Sequence, residues 1–153
     1  MGLEEDINQE RGFSSEQQKA MLNILYTHGW LMARMKESMK EYDLTPQQFN
    51  VLRILRGAFP DPLSTLTIRN RMLDRMSDAS RIVDRLCKKG LVKSSTCSFD
   101  KRKVDVNISE PGLALLTKID NDKADFKSVF NAVSDKDAKH LNETLDWLRD
   151  NGK

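Results

Sequence analysis

The chain has 153 residues, which suits one domain with appended helices and is long enough to bury a real core. Hydrophobic residues make up 39% and charged residues 31%, a globular balance that argues against disorder, and no run approaches the roughly 18 apolar residues of a membrane span. The net charge is only +2, the two cysteines make no disulfide framework, and the acidic start Met1–Asp6 lacks an apolar signal core, so a cytoplasmic protein is expected.

Residues 1–13 read as a frayed tail, and Ser14 or Ser15 opens a long helix. Met21, Leu25, His28, Met32, Met35, Met39 and Tyr42 recur at steps of 4 and 3, one helix face held for about six turns. A second stripe of Leu22, Tyr26, Trp30 and Ala33 widens the apolar arc, so this helix needs more than one partner, and another subunit can be one of them. Thr45-Pro46-Gln47-Gln48 carries the signs of a helix start: a capping threonine, proline at the first helical position and a capping-box glutamine. Leu44 and Phe49 have the spacing of a hydrophobic staple across that start. This helix stops near Gly57, and Pro60-Asp61-Pro62 makes a turn.

Ser64 opens a short helix to about Met72. After a brief turn a third helix runs from about Ser77 to Lys89, with Ala79, Ile82, Val83 and Leu86 inward and Gly90 as its stop. The period then changes. Leu91–Ser95 and Val104–Ile108 are short β-rich runs, joined by the polar tip Phe99-Asp100-Lys101-Arg102-Lys103. Ser109 caps a further helix with Leu115, Ile119, Phe126, Val129, Phe130 and Val133 on its apolar side. Ser134 starts a last one with Ala138, Leu141, Leu145 and Leu148.

This order predicts a mainly α (α+β) fold, a winged helix-turn-helix with a two-stranded β-wing and long flanking helices forming a helical dimerisation region. The expected divisions are a tail and long dimerisation helix (1–43), the winged helix-turn-helix (44–110) and C-terminal dimerisation helices (111–153). Charge follows the same division. From Arg53 to Lys103, thirteen Lys and Arg stand against five Asp and no Glu, a local +8, while the remainder carries −6. A basic middle between acidic ends suits an embedded nucleic-acid surface, and the major groove of a double-stranded DNA admits one helix.

The candidate DNA contacts are Ser64, Arg75, Ser77, Asp78, Ser80, Arg81, Arg85 and Lys88 around the third helix, with Lys101, Arg102 and Lys103 at the hairpin tip. Short hydroxyls near the helix start suit phosphate or base contacts. Arg81 and Arg85 reach guanine or phosphate, and arginine on an extended loop can enter a minor groove.

Two stretches also resemble a known family. Leu86-Cys87-Lys88-Lys89-Gly90-Leu91-Val92, followed by Asp100-Lys101-Arg102-Lys103-Val104-Asp105-Val106-Asn107-Ile108-Ser109-Glu110-Pro111-Gly112, resembles the wing signature of the MarR-type regulators. Ser80-Arg81-Ile82-Val83-Asp84-Arg85-Leu86 resembles their recognition helix. The resemblance is clear over Leu44–Gly112 and looser in the flanking helices. It implies a homodimer in which the first and last two helices interlock, Arg102 as the minor-groove arginine, Asp100 as wing support, and an effector pocket between dimer body and winged domain. Two-fold symmetry implies a pseudo-palindromic operator, and a repressor relieved by a small aromatic effector is the expected mode of action.

His28, Trp30, Met32 and Phe49 are candidates for lining that effector pocket, although methionines at helical spacing serve equally as core and His28 as a buried or interface histidine. Cys87 and Cys97 are candidate oxidant-sensing thiols of a redox-responsive regulator. The sequence has no G-x-S-x-G, H-E-x-x-H, phosphate-binding glycine loop, C-x-x-C or zinc-ligand spacing, so no enzyme, cofactor or metal is expected. A winged-helix protein–protein adaptor is the other reading of the same fold.

Overall fold

A computed structural model of the chain describes residues 2–96, 104–122 and 128–152. In chain order the elements are α1 (Leu3–Asp6), α2 (Glu16–Lys40), α3 (Pro46–Ala58), β1 (Leu63–Ser64), α4 (Thr65–Arg71), α5 (Ala79–Lys88), β2 (Val92–Thr96), β3 (Val104–Ile108), α6 (Glu110–Asn121) and α7 (Asp135–Asn151). Among the described residues no helix is long and apolar enough to cross a membrane.

The helix starts follow from side-chain caps. Ser15, Thr45, Ser64, Asp78, Ser109 and Ser134 each accept a backbone N–H from three residues on, satisfying one of the donors a helix start leaves open. At Thr45 the capping box is complete, because Gln48 Oε1 also accepts the Thr45 N–H at 3.1 Å. Leu44 and Phe49, the staple pair, are both buried.

The core gathers on α3. Val51, Leu52 and Leu55 meet Ile68 of α4, Val83 and Leu86 of α5, Val106 and Ile108 of β3, Leu116 and Ile119 of α6, and Met39 at the end of α2. Tyr42, past the end of α2, closes the same cluster and donates its hydroxyl to Asp122 Oδ2 at 3.0 Å. Arg56 and Arg53 of α3 donate to Asp120 at 2.7 and 3.2 Å, so the last turn of α6 is fastened to α3.

Four features differ from the sequence expectation. The wing is a three-stranded antiparallel sheet in the order β1-β3-β2, with Leu63 opposite Val106 and Ser64 opposite Asp105. A two-residue strand is too short to show a period of 2, so β1 left no sequence signal. The hairpin begins at Val92, one residue later than the pattern suggested, with Val92 opposite Ile108 and Ser94 opposite Val106. Helix α5 begins at Ala79 and not at Ser77, because the Asp78 carboxylate takes the cap and Ser77 belongs to the turn before it. Helix α6 ends at Asn121, so Val129, Phe130 and Val133 do not continue its apolar side but lie in turns at 129–133, and Phe126 falls outside the described residues.

Outside the winged core two helices bury little. On α2, Met21, Leu25, Tyr26 and Trp30 are exposed, and α7 has no buried residue, with Leu141, Trp147 and Leu148 all open to solvent.

Candidate nucleic-acid interface

Helix α5 is sharply two-sided. Ala79, Val83 and Leu86 are buried with Ile82 half-buried, while Ser80, Arg81, Asp84, Arg85 and Lys88 face solvent. Its apolar side is fixed by α3 and α4, so the opposite side is a fixed platform of hydroxyl and guanidinium groups. Gly90, at φ +72°, ends the helix in the left-handed region that glycine adopts without strain. Its neighbour Lys89 does not join the outward face. Its Nζ pairs with Asp43 Oδ2 at 3.1 Å and donates to the Asp43 carbonyl and to Gln48 Oε1, tying the end of α5 to the α2–α3 corner.

The turn entering α5 is braced by carboxylate and amide groups. Asp74 Oδ2 accepts the Ser77 hydroxyl at 2.8 Å and Asp74 Oδ1 accepts the Met76 N–H at 3.0 Å. The hydroxyl bond from Ser77, followed by that N–H, holds the Asp74 carboxyl below the usual carboxylate range, with a small contribution from the charge of His28. On the other side of the turn Asn50 Oδ1 accepts the Leu73 N–H at 3.0 Å. Asp78 accepts the Arg81 N–H at 3.1 Å.

The candidate DNA contacts therefore separate by surroundings. Arg75, Ser80, Arg81, Arg85 and Lys88 are exposed on or beside α5. Ser77 and Asp78 are held by local hydrogen bonds. Ser64 caps α4, accepting the Thr67 N–H, and its hydroxyl lies 2.9 Å from that of Thr67. Asp100, Lys101, Arg102 and Lys103, with Cys97, lie outside the described residues; the strands that carry that tip pair as far as Thr96 opposite Val104.

A cleft of about 460 Å³ opens between α4 and the start of α5, lined by Leu66, Arg69, Arg75, Met76, Ser77 and Ser80 among others. Leu66, Arg69 and Met76 were not singled out by sequence reasoning. The available signal was Met76, an apolar residue set in a polar turn between Arg75 and Ser77. A second cleft, of about 360 Å³, lies beside the hairpin, lined by Phe59, Lys93, Ser94, Asn107 and Glu110 among others.

The candidate effector residues are not brought together. Phe49 is in the core, Met32 is half-buried, His28 is exposed, and Trp30 is exposed with the Arg34 guanidinium 5.2 Å from its ring centre. Neither cleft is lined by any of the four. Cys87 is half-buried and its thiol donates to Ser94 Oγ at 3.5 Å. Among the described residues no three His, Cys, Asp or Glu side chains gather as a metal site.

A helix seated on a three-helix core, open and basic on its far side and followed by an antiparallel hairpin, defines a winged helix-turn-helix protein. The sequence profile of the MarR family matches residues 44–104, which span α3 to the start of β3. A MarR transcription factor from Planctomyces limnophilus has the same fold at 28% identity and a TM-score of 0.68, over 90% of this chain and 98% of its own. A MarR variant from E. coli, solved in complex with operator DNA, is similar at 20% identity and a TM-score of 0.73, over 90% of this chain and 99% of its own. Bordetella bronchiseptica BpsR, whose DNA binding is regulated by 6-hydroxynicotinic acid, is similar at 21% identity and a TM-score of 0.68, over 87% of this chain and 98% of its own. These last two likenesses concern the fold. No curated protein matches the chain. Residues 44–104 thus carry the sequence pattern of the MarR family, and the likeness in fold to MarR transcription factors extends over about nine-tenths of the chain.

Proposed function

We propose that this protein binds double-stranded DNA sequence-specifically as a homodimer, acting as a repressor on a pseudo-palindromic operator. The observation that carries the reading is the exposed face of α5, where Ser80, Arg81, Arg85 and Lys88 stand clear of the core that fixes the opposite face. Helix N-terminal residues in a major groove reach base edges, and arginine matches the two acceptors of guanine. Arg102 at the wing tip is assigned to the adjacent minor groove.

The dimer reading is supported by the apolar residues that α2 and α7 leave uncovered, Leu25, Trp30, Leu141 and Trp147 among them. Large apolar side chains left open on two helices mark candidate association faces. The complex of E. coli MarR with operator DNA and the response of BpsR to 6-hydroxynicotinic acid support DNA and a small aromatic effector as ligands. An effector that favours dimers with a different spacing of the two α5 helices would release DNA by population shift. His28, Trp30 and Met32, all on α2, are the residues assigned to such a pocket in the assembled dimer.

Selection of duplexes from a random pool on the purified protein tests this reading. It should return an inverted repeat with half-sites about 34–36 Å apart, bound by one dimer as sized by sedimentation. Recovery of unrelated sequences, or a monomer on each site, contradicts it.

A further inference from the structure

We infer that Met76 and Leu66 form an apolar reader for thymine methyl groups at the edge of the α5 interface. The inference rests on the DNA-binding reading above and adds to it a specificity that hydrogen-bonding residues cannot supply. Met76 is 94% exposed and Leu66 58% exposed, and both line the cleft at the entrance to α5 with Arg69, Arg75, Ser77 and Ser80. Long apolar side chains left open to water gain only when something covers them.

Three observations select DNA as what covers them. The first is position, since the cleft adjoins the N-terminal end of α5, the end that meets base edges in a helix-turn-helix. The second is charge. Arg69 and Arg75 are cationic, and Asp78, the single acidic residue lining the cleft, has its carboxylate turned onto the Arg81 N–H. A polyanion is favoured there, and a neutral apolar protein surface offers the arginines no counter-charge. The third is preorganisation. The backbone that carries Met76 is held by Asp74, which accepts the Met76 N–H and the Ser77 hydroxyl, and Asn50 fixes Leu73 on the same turn. An exposed methionine is thus presented on an ordered turn.

In the major groove the one apolar group on a base edge is the C5-methyl of thymine. An apolar pair that lines one cleft with two arginines matches thymine flanked by phosphates.

The test uses the full chain and the duplex it selects from a random pool. Each thymine is replaced in turn by deoxyuridine, which removes the methyl group and keeps base pairing. Affinity is read by fluorescence anisotropy. The expected result is a loss of about fourfold at one symmetry-related thymine pair, what burial of a single methyl is worth. That loss should vanish in Met76→Ala or Leu66→Ala, as a double-mutant cycle requires of groups in contact. It should persist in Leu73→Ala, which changes an exposed residue of the same turn that does not line the cleft. A deoxyuridine scan with no sensitive position, or a loss that both Met76→Ala and Leu66→Ala retain, overturns the inference while leaving DNA binding standing. If the protein selects no duplex at all, the DNA reading falls and the inference with it. Because the scan runs first on the unmodified protein, its outcome does not depend on any variant folding.

Discussion

Gly112 of α6 lies against the carbonyl of Leu91 so closely that a Cβ placed on it would stand 2.3 Å from that oxygen and 2.8 Å from Ile108 Cγ1. This approach seats α6 against the start of the hairpin. Ser109, which caps α6, also donates its hydroxyl to the Gly90 carbonyl at 2.7 Å, closing the same junction. The Leu91 carbonyl is held by the Ser109 N–H and Ile108 is buried in β3, so neither moves aside easily. Gly112→Ala should destabilise the fold by about 1–3 kcal/mol, the usual cost of overpacking, seen as a lower midpoint in urea at unchanged slope. A variant as stable as the parent would show that the junction is looser than its geometry.

The Asp78 carboxylate is a helix cap first. Asp78→Ala should cost about 1 kcal/mol of stability in chemical denaturation, and Asp78→Ser should recover most of it. If Asp78→Ala kept full stability and lost only DNA affinity, the residue would be a contact and not a cap.

Acid should loosen the turn before α5. The Asp74 carboxyl sits below its ordinary value because its charged form accepts the Ser77 hydroxyl and the Met76 N–H. A depressed carboxylate contributes order above its unfolded value near 3.8, and that contribution is lost as pH falls through the lower folded value. Amide exchange of Met76, compared between the parent and Asp74→Asn, checks this. Protection should be higher in the parent near neutral pH, and the difference should fade only in strong acid. A difference that persists undiminished in strong acid, or no difference near neutral pH, would contradict it.

Within α5 the basic residues should divide by role. Arg81→Ala and Arg85→Ala are each expected to cost about 1–3 kcal/mol on the selected site and to relax the base preference at one position. Lys88→Ala should weaken binding evenly across sequences and reduce the salt slope by about 1. Arg102→Ala should weaken binding and flatten its salt dependence in the same way. Lys89→Ala should leave the salt slope unchanged, since its ammonium is already held by Asp43 and Gln48.

Much of this was legible because it depends on neighbours in sequence. The caps at Thr45, Ser64, Ser109 and Ser134, the capping-box role of Gln48 and the buried side of α5 are all settled by residues three or four apart. What escaped depends on partners far along the chain. Lys89 looked like one more cation of a basic segment until it was found beside Asp43, and β1 exists only because β3 offers Leu63 and Ser64 a partner. Phe49 shows the limit in the other direction. Its staple spacing with Leu44 pointed to the core, where it lies, and the same residue had also been a candidate for a ligand pocket.

The apolar residues of α2 and α7 should behave as an association face. Leu25→Glu and Leu148→Glu, both at exposed positions, should shift the protein toward monomer in sedimentation without lowering the stability of the winged core. A dimer unchanged by both would place the interface elsewhere.

The central claim is that α5 makes the protein read sequence, and salt-titrated binding tests it most directly. Anisotropy would compare the selected duplex with a scrambled one of equal length and composition from about 50 to 200 mM salt, a range over which phosphate contacts weaken steeply. The account predicts that both affinities fall as salt rises and that the selected duplex stays at least about a thousandfold tighter. Equal affinity for the two duplexes, or binding indifferent to salt, would contradict it.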